Sequence, residues 1–193
     1  MDTATVQVGS TLSQVTATPR DLAVNGLVLG VAGAAWLGWA QEAPPAGWSV
    51  PLGIASVVGV LVAVLAGVLS WRSRHGASAM ADECARRTYY RVVGIEVAAI
   101  VVGAVVLGNT GQAAYIAAWI LFVVGTHFVP LGRLFHIRSL VLAGVLAAAV
   151  SVGALLAGLL WTVLPSAVAG GFAGPTMIVF GVWSLLSHRR VAR

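Results

Sequence analysis

The sequence predicts an all-α fold: one bundle of six transmembrane helices with both termini in the cytoplasm. Three observations predict it. Six apolar stretches, at roughly 21–40, 50–71, 90–108, 113–132, 139–160 and 166–187, are each long enough to cross a bilayer, which takes about 20 residues at about 1.5 Å rise each. The composition is 59% hydrophobic and 9% charged, whereas a soluble domain carries about a quarter charged residues. All 11 basic residues are arginines, and all fall on alternate connections. Arg20 precedes the first span; Arg72, Arg74, Arg86, Arg87 and Arg91 separate the second from the third; Arg133 and Arg138 separate the fourth from the fifth. Arg189, Arg190 and Arg193 follow the sixth, and the other connections (41–49, 109–112, 161–165) carry no arginine. Cationic loops stay cytoplasmic during insertion, so the partition orients the chain.

The elements follow in order. Residues 1–20 read as a mobile cytoplasmic tail, since their Ser and Thr residues accompany no basic segment and no apolar signal core. Pro19 and Asp21 mark the first helix's start, where a fixed φ and a negative charge at the helix dipole are both favourable. Trp36, Trp39, Trp48 and Trp161 are expected to form an outer interfacial belt, and Trp71, Tyr89, Tyr90 and Trp183 an inner one. The connection 72–89 is the longest; from Ser78 onward its pattern suggests a short helix lying on the membrane surface. Gly108-Asn109-Thr110-Gly111 is a tight turn that makes the third and fourth helices antiparallel neighbours. Glycines at close-packing intervals (Gly26, Gly30 and Gly33; Gly170, Gly171 and Gly174) mark helix contacts in the first and sixth spans. The membrane domain covers 21–188, and 189–193 is a basic cytoplasmic tail.

Several function classes drop out. The net charge of +5 comes from arginines at helix ends, where topology requires them, so no nucleic-acid partner is expected and membrane lipids are. The absence of lysine excludes a Schiff-base cofactor and a Walker-type phosphate loop. Cys84 is the only cysteine, so no internal disulfide forms. No nucleophile elbow, paired carboxylates or set of three metal ligands is visible, so neither enzyme chemistry, a metal nor a cofactor is expected.

What remains is polar chemistry inside the membrane. Glu96 and His127 are the one acid and the one histidine well within the spans, and such groups are costly unless paired or hydrated. Glu96 lies five residues past Arg91 and His127 six before Arg133, placing both about 7–9 Å inside the arginine level. Equal depth on adjacent antiparallel helices predicts a Glu96–His127 hydrogen bond. Asn25, Thr126 and Ser184 fall near that level, and Pro130 deprives the Thr126 carbonyl of its helical partner. Asn25, Glu96, Thr126 and His127 are therefore the candidate ligand or proton site, bordering a cytoplasm-facing pocket that narrows towards Trp119. Arg91, Arg133 and His136 are candidate inner-surface contacts, while His75 and His188 read as solvated helix ends.

The segment Val124-Gly125-Thr126-His127-Phe128-Val129-Pro130-Leu131-Gly132-Arg133-Leu134-Phe135 resembles a V-G-x-H-F-x-P-L-x-x-x-F motif of small multi-pass bacterial membrane proteins of unknown function. A looser likeness runs over Tyr90–Glu96. The resemblance implies a six-helix bundle of the bacterial plasma membrane and supplies no substrate, cofactor or catalytic residue. Two functional readings stand. One is a small carrier or channel for a solute, ion or proton, with Glu96 and His127 exchanging the proton. The other is a non-catalytic interaction or lipid-binding protein, a homo-oligomer among its forms, in which the pair is structural glue.

The arginine partition makes a direct prediction. A topology reporter fused after Arg193 registers in the cytoplasm and one inserted at Ala46 on the opposite side; both on one side would remove the six-span arrangement.

Overall fold

The computed structural model describes residues 17–42, 44, 46–161 and 163–191. Six helices of spanning length fill these residues: α1 (Pro19–Ala40), α2 (Ser49–Arg72), α3 (Glu83–Asn109), α4 (Ile116–Leu134), α5 (Arg138–Leu160) and α6 (Pro165–Val191). The chain is thus a multi-pass α-helical membrane protein. The expectation of a mobile tail falls mostly outside the described residues, and Pro19 and Arg20 already belong to α1. Arg189 and Arg190 form the last turn of α6.

Local chemistry sets the helix starts at the arginine-rich end. Thr18 caps α1: its hydroxyl accepts from the Asp21 N–H, while the Asp21 carboxylate accepts from the Thr18 N–H, each at 3.2 Å. The same carboxylate accepts from the Ser78 hydroxyl at 2.8 Å and the Ala79 N–H at 3.0 Å. One side chain therefore caps a helix and pins the α2–α3 connection to it. That connection differs from its sequence reading. Only a 3-10 turn, Ala79–Ala81, precedes α3, and the Asp82 side chain accepts from the Ala85 N–H at 2.7 Å. The segment expected to lie along the membrane surface is instead the first turns of α3, started by this cap.

In space the helices run in the order α2, α1, α6, α5, α4, α3. The α1–α6, α1–α2 and α4–α5 interfaces are the most extensive, and among the elements in substantial contact with α3 the only long helix is α4. Small residues make these approaches. A Cβ on Gly170 would stand 2.3 Å from the Trp36 carbonyl oxygen, and one on Gly30 would stand 2.7 Å from the Ala63 nitrogen. Gly125 and Gly144 do the same for α4 and α5, each closing on the other helix's backbone at 2.6 Å. Where lipid is as apolar as leucine, such backbone proximity supplies the dispersion contacts that hold helices together.

The aromatic belt is only partly as expected. Trp48, Trp71, Trp161 and Trp183 are exposed, but Trp36 is buried and stacks on Trp39 at 5.4 Å. It faces α6 because it lies on the stripe of Gly26, Leu29, Gly33 and Leu37 that α1 buries.

Gly170→Ala is expected to destabilise the protein by about 1–3 kcal/mol, the usual cost of overpacking. Gly171→Ala, with nothing within 4 Å of the added carbon, leaves the melting temperature in detergent unchanged or slightly higher. Equal losses would show that backbone proximity is not what α1 and α6 depend on.

Candidate functional site

Glu96 stands at the midpoint of α3, on the face turned to α4, and His127 lies past the middle of α4. Their side chains meet: His127 Nδ1 is 2.9 Å from Glu96 Oε1, and the two are 11% and 13% exposed. The expected contact is present, but its geometry is informative. Neither imidazole nitrogen has a well-directed hydrogen-bond partner among the described residues. The carboxylate oxygen thus lies close to Nδ1 but off the ring's N–H axis, an electrostatic contact without the alignment of a strong hydrogen bond.

The rest of the α3–α4 interface is held by aromatic packing and one indole hydrogen bond. The Trp119 indole lies in the notch left by Gly103, where any Cβ would meet it, and its Nε1 donates to the Ala99 carbonyl at 3.0 Å. Towards the arginine-rich end Tyr89 packs on Phe135 at 6.2 Å. The polar pair sits between these two aromatic contacts, each holding α3 to α4 at one end of the pair.

The remaining predicted site residues are not gathered here. Asn25 donates to the Ser184 hydroxyl at 2.7 Å, and Ser184 pairs with Ser139 at 3.2 Å. All three are buried between α1, α6 and α5, and α1 makes no extensive contact with α3 or α4. The expected single pocket bordered by Asn25, Glu96 and His127 is therefore two separate polar clusters. Thr126 is exposed and its hydroxyl donates back to the Phe122 and Val123 carbonyls at 3.0 and 2.9 Å, so it turns away from His127. A step of about 100° per residue separates neighbours on a helix and explains the divergence. Two open concavities, about 440 and 500 Å³, are lined by other residues than Glu96 and His127. Trp119, expected at the pocket's narrow end, is part of the sealed interface.

Arg91, Arg133 and His136 are exposed near the arginine-rich end. His136 has a backbone role. Its φ of +55° is left-handed, while Ile137 N–H donates to the Gly132 carbonyl at 2.8 Å and His136 N–H to that of Arg133 at 3.3 Å. These two bonds close α4 in a Schellman turn, at the position glycine usually takes.

Sequence reasoning missed Ser139 and misplaced His188. The latter is only 8% exposed, one turn beyond Ser184 on the buried stripe of α6, and neither ring nitrogen has a partner among the described residues. The stripe Met177, Gly181, Ser184 and His188 has helical spacing and was available in the sequence.

The chain matches no protein-family model, and neither curated proteins nor solved structures give a match. Its class is therefore carried by the fold alone: a six-helix membrane protein.

Replacing a buried unsatisfied group by an apolar one of similar shape is neutral or stabilising. His188→Phe should leave the melting temperature unchanged or raise it by a few degrees, as about 1 kcal/mol would in a domain of this size. A clear fall would mean that the imidazole has a partner in the membrane.

Proposed function

We propose that the protein is a small carrier of the bacterial plasma membrane in which Glu96 and His127 take up and release a proton as α3 moves against α4. The misaligned 2.9 Å contact of two ionisable groups inside the spans carries this reading. Charged groups at such depth are costly and mark ion and proton pathways by default. A proton on the pair neutralises the carboxylate or charges the ring, and either change alters how strongly α3 is held.

The bundle supports motion at that place. Ala85 is the one buried residue of α3, and the apolar window of this helix has none. The α3–α4 interface, which includes Tyr89–Phe135, Trp119–Ala99 and the pair, is less extensive than α1–α6, α1–α2 or α4–α5. In this reading the arrangement with α3 packed on α4 is the closed state.

A specific observation favours a second reading. The side chains of the pair are only 11% and 13% exposed and neither open concavity is lined by them, as suits an interaction or lipid-binding protein in which Glu96 and His127 lock two helices. Purified protein in liposomes carrying an internal pH dye separates the two. The carrier shows a pH-driven proton flux that Glu96→Gln reduces at least tenfold while the melting temperature in the same lipid stays within a few degrees. No flux in the wild type, together with a marked loss of stability in Glu96→Gln, assigns the pair to structure.

A further inference from the structure

The larger of the two concavities, about 500 Å³, opens at the arginine-rich end, where α1 begins, α2 ends and α6 ends. Thr18, Arg20, Ser73, Gly76, Ala77 and Val191 contribute to its wall. We propose that it binds the phosphate-bearing headgroup of an anionic phospholipid from the leaflet that the arginines face. This is independent of any role for Glu96 and His127.

The first argument is charge. Arg20 is half-buried in the wall, and among the described residues the ion pairs are Glu83–Arg87 and Glu96–His127. Its neighbour Asp21 is already engaged, accepting from Thr18, Ser78 and the Ala79 N–H. That carboxylate is turned to the α2–α3 connection, so it anchors the site's wall while Arg20 has no ion-pair partner among the described residues. A guanidinium at the membrane boundary in this state is suited to a phosphate.

The second argument is the composition of the wall. The Ser73 hydroxyl makes no hydrogen bond among the described residues and can donate to a phosphate oxygen. Gly76 and Ala77 let a headgroup approach the backbone. Ala17, Pro19 and Val191 give the apolar side that the glycerol and upper acyl carbons need. Arg72 and Arg74 flank Ser73 in the chain and Arg189 and Arg190 precede Val191, so the end of the bundle that carries the concavity is cationic and favours anionic over zwitterionic headgroups. A volume of this size falls within the range of small-molecule sites.

The test uses the full chain in nanodiscs of phosphatidylcholine with increasing phosphatidylglycerol, read as melting temperature and as lipid retained on purification. The wild type should be stabilised at low phosphatidylglycerol fractions. Arg20→Gln should need about fivefold more, the value of one cationic contact at an anionic surface. Ala77→Phe fills the concavity without changing charge and should give a comparable loss, while Arg86→Gln, outside it, should not. A variant that melts lower in pure phosphatidylcholine is replaced by Ser73→Val, judged by the same ratio. If Arg86→Gln weakens the response as much as Arg20→Gln, or if Ala77→Phe leaves it intact, the response is diffuse surface charge and the proposal fails. It also fails if inorganic phosphate in pure phosphatidylcholine discs stabilises the wild type as well, because the ligand is then a free anion.

Discussion

The close approach of α1 and α6 is the constraint on which the rest of the bundle depends. In a bilayer the apolar faces of helices gain nothing from leaving lipid, so association needs contacts that lipid chains cannot match. Gly33, Gly170 and Gly174 provide them by letting the helices meet where a single methyl would collide. Because this interface joins the first helix to the last, the chain is closed upon itself and α2 and α5 are placed on either side. The buried Asn25–Ser184–Ser139 bonds lie in the same region and fix rotation as well as distance. A polar contact in a nonpolar surrounding is directional, whereas glycine packing alone leaves a helix free to slide.

The other end of the row is built differently. The α4–α5 hairpin repeats the glycine approach, but α3 is fastened to α4 by an indole in a glycine notch, an aromatic pair and two ionisable groups. Burial on α3 is slight, so little of its position is secured by packing. Its position therefore depends on interactions that respond to charge to a degree that the α1–α6 interface does not. This asymmetry, between closely packed helices and one with little burial, is the physical basis of the proposal that α3 moves.

Much of the fold was legible because the bilayer simplifies the problem. Length and apolarity constrain how far a helix reaches and where it lies, while the arginine partition adds an expectation of which way it runs. The boundaries of all six helices were recovered to within a few residues, except at α3. There the amphipathic stretch after Ser78 looked like a surface helix, and only the Asp82 cap shows that it continues into the span. The His136 turn was not legible, since a histidine stands at a position whose usual marker is glycine.

The site was half legible, and the reason lies in the difference between depth and direction. Counting residues from an arginine gives depth, and depth correctly brought Glu96 to His127 because a tight turn already made their helices neighbours. Depth also brought Asn25, Thr126 and Ser184 to the same level, but level does not specify azimuth. Thr126 is rotated about 100° from His127 by helix geometry alone, which was available from the sequence and decides against a shared pocket. Asn25 required knowing which helices touch, and no residue count supplies that. The same reasoning explains His188: its distance from the helix end suggests solvent, but its register with Ser184 places it on the face that α6 buries. Near a membrane boundary the stripe a residue belongs to is thus a stronger guide to its burial than its distance from the end of the helix.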